Sequence, residues 1–389
     1  MRPSRRSHPC PRSRAFWSFT LALAGLAYVS VGTAAAQPIN WAQRFVSGPA
    51  PRAAHAMAYD SARGETLVFG GITGDNSYSG ETWAWDGTVW TLRASQGPSP
   101  RTYTALAYDA ARDRVVLFGG YTPTVIVGET WEWDGAAWTH QEAAGPDARF
   151  SHAMVYDSTR GVTVLFGGAP TCCGGLDPST WEWDGIAWTR KDGGPDTRFL
   201  HAMAFDSVRR VTVLFGGMSV GPGSVYYGDT WEYDGTVWTR RSTSGPSPRA
   251  SHAMAFDSAR GVTVLTGGWH GDNVYSGETW EWNGQEWSLR PGPGPAARVD
   301  SSMAFDAARE ATVLFGGWTC AFSGQTWELG PGPGTCPADF NRDGFLDFFD
   351  YDDFVSAFES GLPGADFNDD CFADFFDYDE FVLSFEVGC

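Results

Sequence analysis

Short runs of alternating apolar and polar residues recur along the chain, and the alternation repeats as a block of about 49 residues. Each block opens on Gly-Pro, with an arginine three residues past the proline: Arg52, Arg101, Arg149, Arg198, Arg249 and Arg298. A brief alternating run then ends in aromatic-Asp, from Tyr59-Asp60 to Phe305-Asp306. A four-residue turn of the type Asp-Ser-Ala-Arg leads into a second run such as Val-Thr-Val-Leu-Phe, which closes on a glycine pair, from Gly70-Gly71 to Gly316-Gly317. A variable loop, Thr-Trp-Glu-Trp, Asp-Gly and a final Trp-Thr complete the block. Val, Thr, Trp, Tyr and Phe suit a pleated, buried surface. Asp-Gly between Trp133 and Trp138 predicts a hairpin, since both residue types tolerate positive φ. Each block therefore predicts four short strands.

The second run is apolar on both faces, and one four-stranded sheet cannot cover two apolar faces. Six such sheets arranged radially can, so the expected fold is an all-β, six-bladed propeller. The sixth block stops after Trp327-Glu328-Leu329 and supplies no fourth strand. Upstream of the first block, residues 39–44 have the spacing of a fourth strand. The N-terminal segment is thus expected to complete the last blade and close the ring.

In the glycine pair after an apolar strand, the aromatic before the Asp turn and the downstream Trp, the blocks resemble the kelch repeat over residues 48–329. The doubled Trp-Glu-Trp departs from the usual blade. The resemblance implies a kelch-like propeller over residues 37–329.

Residues 1–36 read as a signal peptide: a head of five arginines, an uncharged apolar run from Ala15 to Val31, then Ala34-Ala35-Ala36 before Gln37. The rival reading is an uncleaved anchor, because the run is nearly long enough to span. Cleavage is preferred, since the run dissolves into Gly, Ala and Thr without a charged stop, and no later stretch could cross a bilayer. Cleavage takes the net charge from −19 to −24. An acidic surface disfavours nucleic acid and anionic membrane as partners and suits cations. Six cysteines remain, Cys172, Cys173, Cys320, Cys336, Cys371 and Cys389, in an oxidising compartment where disulfides are permitted and connectivity stays open.

A Gly/Pro linker at 330–335 leads to a different composition. Residues 336–389 hold fifteen acids against one arginine. Within them DFNRDGFLDFFD (339–350) and DFNDDCFADFFD (366–377) match a twelve-residue calcium loop. The first loop offers Asp339, Asn341, Asp343, the Phe345 carbonyl, Asp347 and Asp350; the second offers Asp366, Asn368, Asp370, the Phe372 carbonyl, Asp374 and Asp377. Calcium takes six to eight oxygens, which alternating side chains of one tight loop can bring together. Two Ca2+ sites are expected. Each loop runs into an amphipathic stripe, Tyr351, Phe354, Val355, Phe358 and Tyr378, Phe381, Val382, Phe385, and the two stripes are expected to pack face to face. So small a unit needs metal to fold. The pair resembles a type I dockerin of the kind ending in Gly-Cys, here Gly388-Cys389. That resemblance implies a surface or scaffold receptor, a cohesin among the candidates. Cys371 stands in place of the loop glycine, and the polar pair for cohesin recognition is not evident.

His55, His152, His201 and His252 occupy one position in four blocks, replaced by Thr104 and Ser301 in the others, and read as a hydrogen-bonding element of the first strand. Residues that break the repeat are better candidates for binding. The variable loops and the connections between blades share one face, which carries Tyr78, Tyr121, Tyr226, Tyr227, Trp269, His270, Asp272 and Trp318. Aromatics beside polar groups suit a polysaccharide or protein ligand. The function expected is a secreted, surface-attached, non-catalytic binding or display protein. The alternative is an extracellular carbohydrate-active enzyme, a hydrolase or an oxidase, on the same face. An oxidase needs a copper set that His270 alone does not supply. A glycosidase needs paired groups, and Asp75 and Asp272 are not evidently paired. Gly-Glu-Thr-Trp (80–83, 128–131) is similar to the end of the sialidase Asp box, but Tyr78 and Ile126 stand where its Asp belongs.

Overall fold

The computed structural model describes residues 39–170, 178–219, 225–271 and 274–331, with Tyr351, residues 354–356, Phe358, Tyr378, Phe381 and Val382. The chain divides into two compact units, Met1–Ala36 and Gln37–Cys389, and the first lies outside the described residues.

Six antiparallel four-stranded sheets follow one another in the second unit. In the first block the strands are Ala56–Asp60, Glu65–Phe69, Thr82–Trp85 and Trp90–Ala94, and the same succession recurs in each later block. The innermost strands touch their neighbours round a closed circle, Ser302–Asp306 returning to Ala56–Asp60. This is a six-bladed β-propeller. Second strands are apolar on both faces because each face meets another blade. Leu67 and Phe69 pack with Leu106, Val115 and Leu117 of the next blade, while Val68 packs with Val313 and Phe315 of the last. Burying each such side chain contributes about 1.5–3 kcal/mol.

Three circles of hydrogen bonds join the blades, one of them at the mouth of the axis (below). In another, the second glycine of each pair donates to the carbonyl of the next blade's repeated arginine, from Gly71 to Arg101 (2.9 Å) round to Gly317 and Arg52 (2.9 Å). The first glycine must accept close contact: a Cβ on Gly119 would lie 2.5 Å from the Arg149 carbonyl oxygen, and its φ is +66°. Gly119→Ala is therefore expected to lower stability by at least about 2 kcal/mol. A denaturant midpoint equal to wild type would refute the close-approach account.

In the third circle a fourth-strand tryptophan donates Nε1–H to a third-strand threonine of the preceding blade. The pairs run from Trp90 to Thr326 (2.9 Å) through Trp138, Trp188, Trp238 and Trp287, and end with Trp41 to Thr279 (3.0 Å). Trp41 belongs to the N-terminal strand Ile39–Arg44, which pairs antiparallel with Thr326–Pro331 and supplies the missing fourth strand. Third-strand glutamates add further ties. Glu132 accepts from Arg112 (2.6 Å) of its own blade and from Trp183 (3.0 Å) of the next. Ala84 interrupts that series between the first two blades, where Arg63 instead reaches Asp113 (2.6 Å).

The Asp-Gly hairpins form, by a different geometry from the one expected. Gly135 takes positive φ but Asp134 does not. The Asp134 carboxylate accepts from the backbone N–H groups of Ala136 and Ala137, both at 2.8 Å, and so caps a four-residue loop.

All described residues of the acidic C-terminal segment are helical. Phe354 and Phe381 are fully buried and stack with centroids 3.9 Å apart at 9°, and the Tyr351 and Tyr378 hydroxyls are hydrogen-bonded. Both expected calcium loops, 339–350 and 366–377, lie outside the described residues. Cys320 is disulfide-bonded, and its partner lies outside them as well, since it is the only described cysteine. No helix among the described residues is long and apolar enough to cross a membrane.

Candidate functional site at the axial mouth

Each repeated arginine is fully buried and anchors the loop face. Arg101 donates to the Gly119 carbonyl (3.1 Å) and to Glu129 (2.7 Å), and Arg52, Arg198 and Arg249 make the same pair of bonds in their blades. The next residue bridges to the start of the variable loop, as Thr102 does to Tyr121. The residue after that turns into the left-handed region in all six blades: Ala54, Tyr103, Ser151, Leu200, Ser251 and Asp300, with φ between 51° and 58°. Side chains rarely adopt this conformation, at a cost of about 1 kcal/mol or more each. The six hold it because they bond to one another. The N–H of each donates to the carbonyl of its counterpart in the preceding blade, at 2.8–3.0 Å, and Ala54 to Asp300 completes the circle. A closed backbone collar thus frames the axis on the loop face.

Two side chains of that collar meet. Tyr103 donates its hydroxyl to Asp300 Oδ2 (3.2 Å), across the small Ala54 between them. Burial pushes the Asp300 carboxyl above its ordinary proton affinity, opposed by hydrogen bonds from Ser251 and Tyr103. The Asp300 charge, and then burial, hold the Tyr103 phenol well above its usual range. Groups with displaced proton affinity in a concave site mark a functional candidate. The pair is unforeseen from the sequence, although it leaves a signal there: the position two after the repeated arginine varies in every block but one pair of serines.

From Tyr103 an aromatic arc runs outward. Its ring lies 6.2 Å from Phe150, Phe150 lies 5.9 Å from Tyr121, and Tyr121 lies 6.3 Å from Tyr78. All four are half-buried. Two expected binding residues, Tyr78 and Tyr121, thus belong to one wall, joined to the axis by two residues not foreseen. The others group elsewhere. Tyr226 meets Trp269 edge-on at 5.6 Å, and the neighbouring His270 places Nδ1 2.8 Å from Ser247 Oγ. Tyr227 is stacked under the Arg198 guanidinium at 4.1 Å, so its ring serves the scaffold. Trp318 packs against Phe322 at 4.8 Å. Asp272 lies outside the described residues. Asp75 is fully exposed and held within its own loop by Thr73 (2.6 Å) and Ser77 (3.0 Å), which lower its proton affinity.

Behind the collar the four histidines are not a hydrogen-bonding element of the strand. Each packs edge-on against the phenylalanine ending the preceding blade's second strand, as His152 does on Phe118 at 5.6 Å. Each ring lies near that phenylalanine's carbonyl, yet neither nitrogen meets hydrogen-bond geometry. Burial first, and the neighbouring repeated arginine second, depress their proton affinity, to about 3 for His55, His152 and His252. They are neutral at any ordinary pH. Among the described residues no three His, Cys, Asp or Glu side chains are placed to hold a metal ion.

No protein-family model and no curated protein matches the chain. Among solved structures it is similar to one described as "Structure of YjhT", with a TM-score of 0.58 and 15% identity, covering 72% of this chain and 95% of that one. At that identity the likeness concerns the propeller fold alone.

Proposed function

We propose that this is a secreted, surface-attached binding protein, in which a kelch-like propeller presents the axial mouth of its loop face to a saccharide or peptide. The observation that carries the reading is the aromatic arc Tyr78–Tyr121–Phe150–Tyr103 leading into a polar mouth. Half-buried rings offer contact area at low entropic cost, and the adjoining polar groups orient a ligand. The signal-peptide pattern supports export. The two loop motifs support a dockerin-like tail that binds two Ca2+ and docks on a surface receptor or a cohesin. There Asp339, Asn341, Asp343, Asp347 and Asp350, with their counterparts in the second loop, would supply oxygens.

Glycan and peptide arrays probed with the full mature chain test the first part. Tyr78→Ala with Tyr121→Ala is expected to weaken binding of any hit by at least about tenfold, and undiminished binding would remove the arc from the site. Calcium titration of the same chain should show two events, both lost in Asp339→Ala with Asp366→Ala. A heat trace indifferent to those changes would refute the tail assignment.

The Tyr103–Asp300 contact favours a second reading, an extracellular carbohydrate-active enzyme using Asp300 as its proton-exchanging group. Turnover of an array hit, abolished by Asp300→Asn, would replace the binding reading with this one.

A further inference from the structure

The axial mouth holds a carboxylate that no cation answers. Each aspartate ending a first strand, from Asp60 to Asp306, meets the arginine three residues on at 2.6–2.8 Å. Glu132, Glu182, Glu232 and Glu328 of the third strands each meet that same arginine of their blade. Asp300 meets none among the described residues; its partners are the hydroxyls of Tyr103 (3.2 Å) and Ser251. A hydroxyl donates to a carboxylate without cancelling its charge. The chain as a whole carries 46 acids against 27 lysines and arginines, so its field also favours the approach of a cation.

The backbone around Asp300 narrows the kind of cation. All six collar N–H groups are spent on the circle itself, whereas each collar carbonyl keeps a second lone pair. The histidine nitrogens and the hydroxyls of Ser151 and Ser301 are sealed from the opening and offer a guest nothing. What a guest meets is Tyr103, Leu200, Ser251 and Asp300, which line the mouth and are all partly exposed. Acceptors prevail there, so the guest must bring donors. An ammonium brings three and no acceptor. A calcium-like ion needs six or more oxygens, and no three His, Cys, Asp or Glu side chains converge among the described residues. The opening, about 100 Å³, admits an unbranched arm and excludes a sugar ring. A lysine side chain is such an arm, a compact charge on an apolar stem. The Tyr103 ring beside the carboxylate suits the flank of a cation.

We propose that the axial mouth binds a lysine side chain of a peptide, its ammonium against Asp300 and Ser251 and its methylenes along Tyr103 and Leu200. Phe150, Tyr121 and Tyr78 then receive the neighbouring residues of the peptide. That path rests on the loop-face reading above; the ammonium subsite does not.

The probe is Nα-acetyl-lysine methylamide, added to the chain beginning at Gln37 while the Leu200 methyl and Tyr103 ring resonances are followed by NMR. Saturable shifts are expected, with affinity at least about tenfold weaker for the neutral Nε-acetylated probe, and weaker by as much in Asp300→Asn. Asparagine removes the charge and tolerates the positive φ of 54° at this place, so the collar is kept. Glucosamine and potassium chloride, at matched ionic strength, are expected to leave the resonances unmoved. The absence of saturable shifts, equal binding of the neutral probe, an unchanged affinity in Asp300→Asn, or glucosamine or potassium acting in place of lysine would each overturn the proposal. Lysine binding in the mouth with peptide hits indifferent to Tyr78→Ala/Tyr121→Ala would retain the subsite and reject the aromatic arc. Peptide hits that need the arc but survive acetylation of every lysine would retain the loop-face reading and reject the subsite.

Discussion

A chain trimmed to begin at Val46 is expected to melt at least about 10 °C below one trimmed to begin at Gln37. The missing residues include the whole of Ile39–Arg44, which forms the outer strand of the sixth blade. Without it the edge Thr326–Pro331 is unpaired, Leu329 loses its cover and Thr279 loses its Trp41 donor. The single change Trp41→Ala isolates the side-chain part. Trp41 is 5% exposed and packs with Val264, Leu314 and Leu329. Truncating such a residue costs about 3–5 kcal/mol, or roughly 6–10 °C at about 2 °C per kcal/mol for a domain of this size. Calorimetry of the three chains would decide the matter. Coincident melting curves would mean that the ring does not depend on its N-terminal closure.

The second large effect is one of acidity. In the unfolded chain the four histidines behind the collar titrate near pH 6.5. In the fold His55, His152 and His252 are held down to about 3 by burial, and His201 is depressed well below its usual value. Between those limits the unfolded state binds more protons than the native state, so stability falls as pH falls below 6.5. Each histidine removes up to about 1.4 kcal/mol per pH unit in that window. Asp300, whose affinity is raised, acts in the opposite sense but is a single group. Replacing all four histidines by threonine, the residue already present as Thr104, is expected to flatten the dependence. Chemical denaturation between pH 6.5 and 5, above most carboxylate titration, measures it directly. An equally steep slope in the quadruple variant would show that other groups govern acid sensitivity.

Much of the architecture was legible because repetition exposes what the backbone requires. The paired glycines mark a place where Cβ cannot fit, and Trp41 announces a fourth strand by its distance from the next Gly-Pro. The site was less legible. Tyr78 and Tyr121 stand in the irregular loops, where the repetition fails, but Tyr103 and Asp300 sit inside the regular part of the block, one residue before the position that holds histidine in four blades. Only closure of the circle brings the second and sixth blades near enough for those two to touch, with an alanine between them. The histidines misled for a related reason. A residue type suited to hydrogen bonding recurs there, yet the neighbour supplied by the preceding blade is a phenyl ring. Nothing local in the sequence records which blade lies alongside.

The seam between Ile39–Arg44 and Thr326–Pro331 also sets the order in which the ring can form. Most strand pairings are hairpins within one block, whereas this one joins the two ends of the ring, where the Arg44 side chain reaches Glu328, 284 positions away. Loop closure over that length adds only slowly to the entropic cost, but it must wait for the last block to exist. Until then the first strand and the sixth sheet each present an unpaired edge, the kind of surface on which chains pair wrongly. Of the propeller's described strands, the first to be made is the last to find its partner.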